Sequence, residues 1–232
     1  DLGVEVPMQE VPVIQKMLVR KCLAASKPVI IATQMMESMI TNISPSRAEV
    51  NDVANSVMDG ADAVMLSGET SVGNHPAKVV EAMTKIIEHV EANSDIYNRG
   101  NDAPEVDLRN DRFLSDSICY TAAKMAERTS AAAIVTMTHS GYTAFKLASH
   151  RPKADIFVFT DNYDILTTLN LVWGVRGFYY DKNISTDHTI ADIKFILKKS
   201  GKVNLNDLVI NIASIPLSEK GKANMIKLSA VE

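Results

Sequence analysis

The chain has 232 residues, 46% of them hydrophobic, enough to bury one large core or two modest ones. Its 24 Lys and Arg against 28 Asp and Glu leave a formal charge of −4, spread along the chain rather than gathered in blocks. That balance excludes the electrostatic footprint of a nucleic-acid binder or of a protein drawn to an anionic membrane. No apolar run approaches the roughly 20 residues of a membrane span.

Residues 1–6 read as a loop, and Pro7 is set to enter a helix. Ile14, Met17, Leu18 and Cys22 then recur at helical spacing to about Ala25, an amphipathic stripe facing a core. Val29 to Ala32 is a continuous apolar, β-branched run, short enough for a strand covered on both faces, and polar Thr33 and Gln34 end it. Met35, Met36 and Met39 read as core filler. Ser46-Arg-Ala-Glu49 is a capping box. The helix it starts should carry Val50, Val53, Ala54, Val57 and Met58 inward and stop at Gly60. A second strand, Ala63 to Leu66, leads into Ser67-Gly-Glu-Thr70. Pro76 then opens a helix that runs to about Asn93.

Two buried strands, each ending in a polar loop and joined by a helix, make a βα repeat, whose chemistry sits at the carboxyl ends of the strands. Two strands alone cannot close a layer, because each would keep an uncovered edge or face. A (β/α)8 barrel takes roughly 250 residues, so residues 1–93 amount to about a quarter of one. The start on Asp1-Leu-Gly, with no initiator Met and no basic leader, is expected of a chain cut from something longer and lacking a signal peptide.

Residues 94–110 are polar, include Gly, Pro and Asn, show no hydrophobic period, and read as a linker. Beyond it come helix 113–129, strand 132–137, helix 142–150, strand 155–160, helix 163–172, strand 176–180, helix 187–199 and strands 207–213 and 224–230. This alternation predicts a layered α/β domain over 111–232, largely parallel with an antiparallel last strand. Cys22 and Cys119 lie inside helical patterns without metal-type spacing, which predicts two buried, reduced thiols. The histidines at 75, 89, 139, 150 and 188 fall on different elements with no metal spacing.

Several long stretches stand in one order: Asp1-Leu-Gly-Val-Glu5, Lys27-Pro-Val-Ile-Ile-Ala-Thr-Gln-Met35, Arg47-Ala-Glu-Val-Asn-Asp-Val-Ala-Asn55 and Asp59-Gly-Ala-Asp-Ala-Val-Met-Leu-Ser-Gly-Glu-Thr70. Together they resemble pyruvate kinase, densely over 1–93 and more loosely to the C-terminus. The resemblance implies the last two strands of the catalytic TIM barrel with their flanking helices, followed by the family's C-terminal regulatory and oligomerisation domain. It implies phosphoryl transfer from phosphoenolpyruvate to ADP, giving pyruvate and ATP, with Mg²⁺ or Mn²⁺ and K⁺ as cofactors. A cytoplasmic homo-oligomer, tetrameric in the family, is implied with it.

Residue by residue, Asp1 matches the second of two acidic metal ligands, a role suited to a hard-oxygen donor at a strand end. Thr33 matches the threonine that contacts the substrate carboxylate. Ser67 and Glu69 match a polar pair in the proton-delivery network. Arg47 matches an interface arginine near the partner's active site. The family's catalytic Lys, its phosphate-clamping Arg, its first metal-ligand Glu and its K⁺ ligands have no counterpart in these 232 residues, so the isolated chain is expected to be inactive.

Thr138-His-Ser-Gly-Tyr-Thr143 follows a strand and opens a helix, and hydroxyls and N–H groups at a helix N-terminus favour an anion. In relatives activated by sugar bisphosphates a loop matching this one holds a phosphate, which singles out Thr138, Ser140 and Thr143. The loop 214–222 adds Lys220 and Lys222 as phosphate partners, although it lacks the glycine-rich form of strongly regulated relatives. Two functions are therefore carried forward: part of a pyruvate kinase, or a non-catalytic module that binds a sugar phosphate and self-associates.

Overall fold

The computed structural model describes residues 2–98, 103, 107, 109–182, 185–215 and 222–232. The chain divides into two compact units, Asp1–Ile96 and Tyr97–Glu232.

The first unit runs α1 (Leu2–Glu5), a 3-10 turn, α2 (Val11–Ala24), β1 (Ile30–Ala32), a second 3-10 turn (Glu37–Ile40), α3 (Arg47–Asp59), β2 (Ala63–Met65), α4 (Gly68–Ser71) and α5 (Pro76–Asn93). β1 and β2 are parallel, with Ile30 opposite Ala63 and Ala32 opposite Met65, so both strands end on the same side. α3 begins with a complete capping box between Ser46 and Glu49 and ends on Gly60 in the left-handed region at φ 100°. Met35, Met36, Met39, Val53, Val79 and Met83 form the core, with Ile31 and Val64 packed against it.

Several expectations change here. Residues 2–5 form a helical turn rather than a loop. Val19 is the buried residue of α2, while Met17 and Leu18 are 42% and 43% exposed. Ile30 and Met65 are 43% exposed, and Val50 and Met58 of α3 are also exposed. The reason is geometric. A two-stranded sheet presents more apolar surface than the helices of its own unit cover, so strands written for burial on both faces are at most half-buried. Cys22 is only half-buried, whereas Cys119 is fully buried, and both are free thiols.

The second unit is a three-layer sandwich. Its elements are α6 (Phe113–Thr129), β3 (Ala133–Met137), α7 (Tyr142–Ser149), β4 (Asp155–Thr160), α8 (Tyr163–Thr168), β5 (Val175–Tyr179), α9 (Thr186–Lys199), β6 (Leu208–Ala213) and β7 (Met225–Ala230). The sheet order is β5-β4-β3-β6-β7, parallel except for β7. Alternate residues of one strand feed opposite cores, as the pleat requires. Ile134, Ile156, Val158 and Ile210 pack with α6 and α7. Val135, Phe157, Phe159 and Val209 pack with Ile193 and Leu197 of α9. The strand order reverses at β3 and β6, because β3 leads toward β4 and β6 leads toward β7. The carboxyl ends of these strands therefore open a crevice of the kind that takes ligands in such sheets.

Leu147 of α7 is fully buried against this sheet. Leu147→Ala is expected to lower the unfolding free energy of the second unit by about 2–5 kcal/mol, measured by urea titration.

Candidate functional site

At the end of β1 the chain makes an unfavourable turn. Thr33 and Gln34 both lie in the left-handed region, at φ 73° and 56°. For residues with a Cβ this conformation costs about 1–2 kcal/mol each, and it persists only where the surroundings impose it. Here two carboxylates impose it. Glu69, on α4, accepts from the Met36 N–H at 3.2 Å and the Ser67 N–H at 2.7 Å. Glu49, on α3, accepts from the Ser38 N–H at 2.6 Å and hydroxyl at 2.5 Å, and from the Ser46 N–H at 2.7 Å and hydroxyl at 2.8 Å. Both carboxylates are buried.

Burial pushes both groups up, but the hydrogen bonds outweigh it and hold each below the ordinary value of 4.5. For Glu49 the opposing donors are Ser38 and Ser46; for Glu69 they are its own backbone N–H and those of Ser67 and Met36. Near neutral pH both are ionised acceptors. Glu69 thus fixes the Ser67 backbone and the post-β1 loop in one arrangement. Gly73, just past α4, belongs to the same packing: a Cβ there would lie 2.2 Å from the Glu69 carbonyl oxygen.

Thr33 and Ser67 stand at the same end of the parallel pair, both exposed, and neither side chain makes a hydrogen bond among the described residues. Arg47 is the first residue of α3 and exposed, also without a hydrogen bond or ion pair among the described residues. A positive charge at that end opposes the helix dipole. Asp1 lies outside the described residues, so its expected metal role has no structural account. Among the described residues, no group of three or more His, Cys, Asp and Glu could hold a metal ion.

A second site lies in the second unit, where a cavity of about 500 Å³ opens at the carboxyl ends of β3, β4, β5 and β6. Thr138, Ser140, Thr143 and Lys222 all line it, while Lys220 lies outside the described residues. Gly141 adopts φ 79°, and its N–H donates to the Thr138 hydroxyl at 3.0 Å, shaping the turn into α7. Thr143 is buried and shares a 3.0 Å hydrogen bond with the Thr136 hydroxyl, so it anchors α7 to β3. Tyr142 donates to Asp116 of α6, and the Arg112 guanidinium lies 4.3 Å above its ring. Burial and the Asp116 carboxylate raise the Tyr142 phenol well above its usual range.

Apart from Lys222, sequence reasoning missed the charged groups around this cavity. His139 contacts Asp161 at 2.6 Å, Lys182 donates to Asp192 at 2.8 Å, and Lys222 lies 3.5 Å from Asp111. Asp161 directly follows β4 and Lys182 lies three residues past the end of β5, so the rule that ligands meet strand carboxyl ends could have found them. Asp111 and Arg112 carry no such signal.

Profiles of two domains match the chain: "Pyruvate kinase, barrel domain" over residues 1–80 and "Pyruvate kinase, alpha/beta domain" over residues 116–229. The pyruvate kinase of Clostridium acetobutylicum is 40% identical across all of this chain, which covers 48% of that protein. The pyruvate kinase of Geobacillus stearothermophilus is also 40% identical, with 39% of its length covered. A solved structure of a pyruvate kinase from Cryptosporidium parvum superposes with a TM-score of 0.87 at 30% identity, over 99% of this chain and 45% of that one. The chain thus spans about half the length, or less, of the relatives it matches.

The depressed carboxylates make a pH prediction. Their stabilisation is fully present above about pH 4.5 and is lost as pH falls through the lower folded values. Glu49→Gln and Glu69→Gln should each cost about 1.5–3 kcal/mol at pH 7. Each should also flatten the acid limb of the first unit's stability curve, followed by circular dichroism from pH 7 to pH 3.

Proposed function

The chain belongs to the pyruvate kinase family, and from that premise we propose that it supplies part of an enzyme transferring the phosphoryl group of phosphoenolpyruvate to ADP, giving pyruvate and ATP. Residues 1–93 would form the end of the catalytic barrel, 94–110 the linker and 111–232 the regulatory and assembly domain. The observation that carries this reading is the pair of strand tips, Thr33 and Ser67, at the same end of the parallel pair, with Glu69 accepting from the Ser67 N–H and from Met36 in the loop after Thr33. Phosphoryl transfer depends on positioning and on electrostatic stabilisation of spreading charge more than on covalent work by the protein. Thr33 would present its hydroxyl to the substrate carboxylate. Ser67, oriented through its own N–H by Glu69, would relay a proton to the carbon that receives it.

Mg²⁺ or Mn²⁺ would neutralise phosphoryl charge in such an enzyme, with Asp1 contributing one hard oxygen ligand. K⁺ and the remaining metal ligands would come from groups other than the described residues. Arg47, exposed where its charge gains nothing from its own helix, fits a contact with a second copy of the chain in a cytoplasmic homo-oligomer.

These 232 residues alone should not turn over. In an assay coupling pyruvate release to NADH oxidation, the purified chain with Mg²⁺, K⁺, phosphoenolpyruvate and ADP is expected to give only the background rate. Turnover above background would overturn the assignment of the remaining catalytic groups to other residues.

The 500 Å³ cavity favours a second role, binding of a sugar-phosphate effector. Its phosphate would meet Thr138, Ser140 and the N-terminus of α7, with Thr143 holding that helix in place and Lys222, with Lys220, supplying charge. Fructose 1,6-bisphosphate or glucose 6-phosphate should raise the melting temperature of the second unit, and Thr138→Val should abolish the rise. A response to Mg²⁺ with phosphoenolpyruvate instead would favour the catalytic role.

A further inference from the structure

Asn211 stands in the middle of β6, in the run Leu-Val-Ile-Asn-Ile-Ala, and is 3% exposed. Strand alternation turns it, like Val209, toward α9. Its Nδ2 donates to the Lys227 carbonyl and the Ser229 hydroxyl, each at 3.4 Å, while its Oδ1 meets no hydrogen-bond partner among the described residues. Thr189 of α9 is 1% exposed, and its Oγ1 is likewise unpartnered. That hydroxyl approaches the Tyr180 phenol oxygen closely enough to offset part of the rise that burial and Asp192 impose on the phenol. The two do not reach hydrogen-bond geometry, and the phenol donates to Asp192 at 3.1 Å.

Thr189 and Asn211 line the same small cavity, about 10 Å³, whose other walls include Val135, Met137, Ile193 and Ile212. That is room for one water and no more. A wholly apolar cavity of this size stays dry, but two residues of its lining, Thr189 and Asn211, each carry a buried, unpartnered oxygen, which reverses the preference. Immobilising one water costs less than leaving two buried polar atoms unpaired.

We propose that this cavity is a binding site for a single structural water that bridges Thr189 Oγ1 to Asn211 Oδ1 and so ties α9 to β6. Met137 lines both this cavity and the large one, so the water lies directly beneath the floor of the candidate effector site. α9 also carries Asp192, which holds Tyr180 and Lys182 in the wall of that site. A ligand that shifts α9 against β6 must therefore stretch or release the bridge.

The test is water–methyl cross-relaxation on the 13C-methyl-labelled chain. Wild type is expected to give a cross-peak of bound-water sign between solvent and the methyls of Ile193 and Thr189. Thr189→Val, close to isosteric, should lose the Ile193 cross-peak and lower the melting temperature of the second unit by about 2–4 °C. Thr189→Ser, which keeps the hydroxyl, should retain the Ile193 cross-peak. Absence of the cross-peak in wild type would overturn the proposal. So would its persistence in Thr189→Val, or a Thr189→Val chain as stable as wild type, since removal of a merely unpaired hydroxyl costs nothing.

Discussion

Two ionised carboxylates hold the strand ends of the first unit together. Glu49 and Glu69 come from different helices, yet both accept backbone N–H groups of the loop after β1. That loop contains two consecutive non-glycine residues in the left-handed region, a strain of about 2–4 kcal/mol in sum. Several charge-assisted hydrogen bonds, each worth about 1.5–3 kcal/mol, are enough to outweigh it. The strained turn carries Thr33, so the conformation of the proposed substrate contact is set by side chains that never touch substrate.

The same arrangement assigns the polar residues of the strand tips different tasks. A buried carboxylate that accepts several N–H groups stays ionised and serves as a fixed acceptor. Exposed hydroxyls at Thr33 and Ser67 keep their hydrogen-bonding capacity for a ligand. Glu49 does double duty: it closes the capping box of α3 and reaches past it to Ser38. A helix terminus and a strand-end loop are therefore parts of one hydrogen-bonded structure, and Arg47 sits at its rim.

In the second unit the organising constraint is the reversal of strand order. It opens a crevice that neighbouring helices do not fill, and groups following four strands converge there. The charges around it are mostly paired with one another, His139 with Asp161 and Lys222 with Asp111. A ligand phosphate would thus compete with existing ion pairs rather than meet free cations, whereas the turn into α7 offers backbone N–H groups that α-helical bonding leaves unsatisfied.

Sequence alone determined the local grammar: the capping box of α3, the stop at Gly60, Pro76 at a helix start, the alternating strands and helices beyond residue 110, and the antiparallel last strand. Each follows from interactions within a few residues or from a period written into the chain. The motif order was equally legible, because it needs no geometry. Tertiary structure decided the rest. Burial of Met17, Leu18, Ile30 and Val50 depends on how much helix faces a two-stranded sheet, which no local pattern encodes. The contact of Glu69 with Met36 spans 33 residues, and the bond of Glu49 to Ser38 runs beyond its own helix. Long-range hydrogen bonds of this kind leave no mark on sequence spacing, and they are what fix the loops at the two polar strand tips.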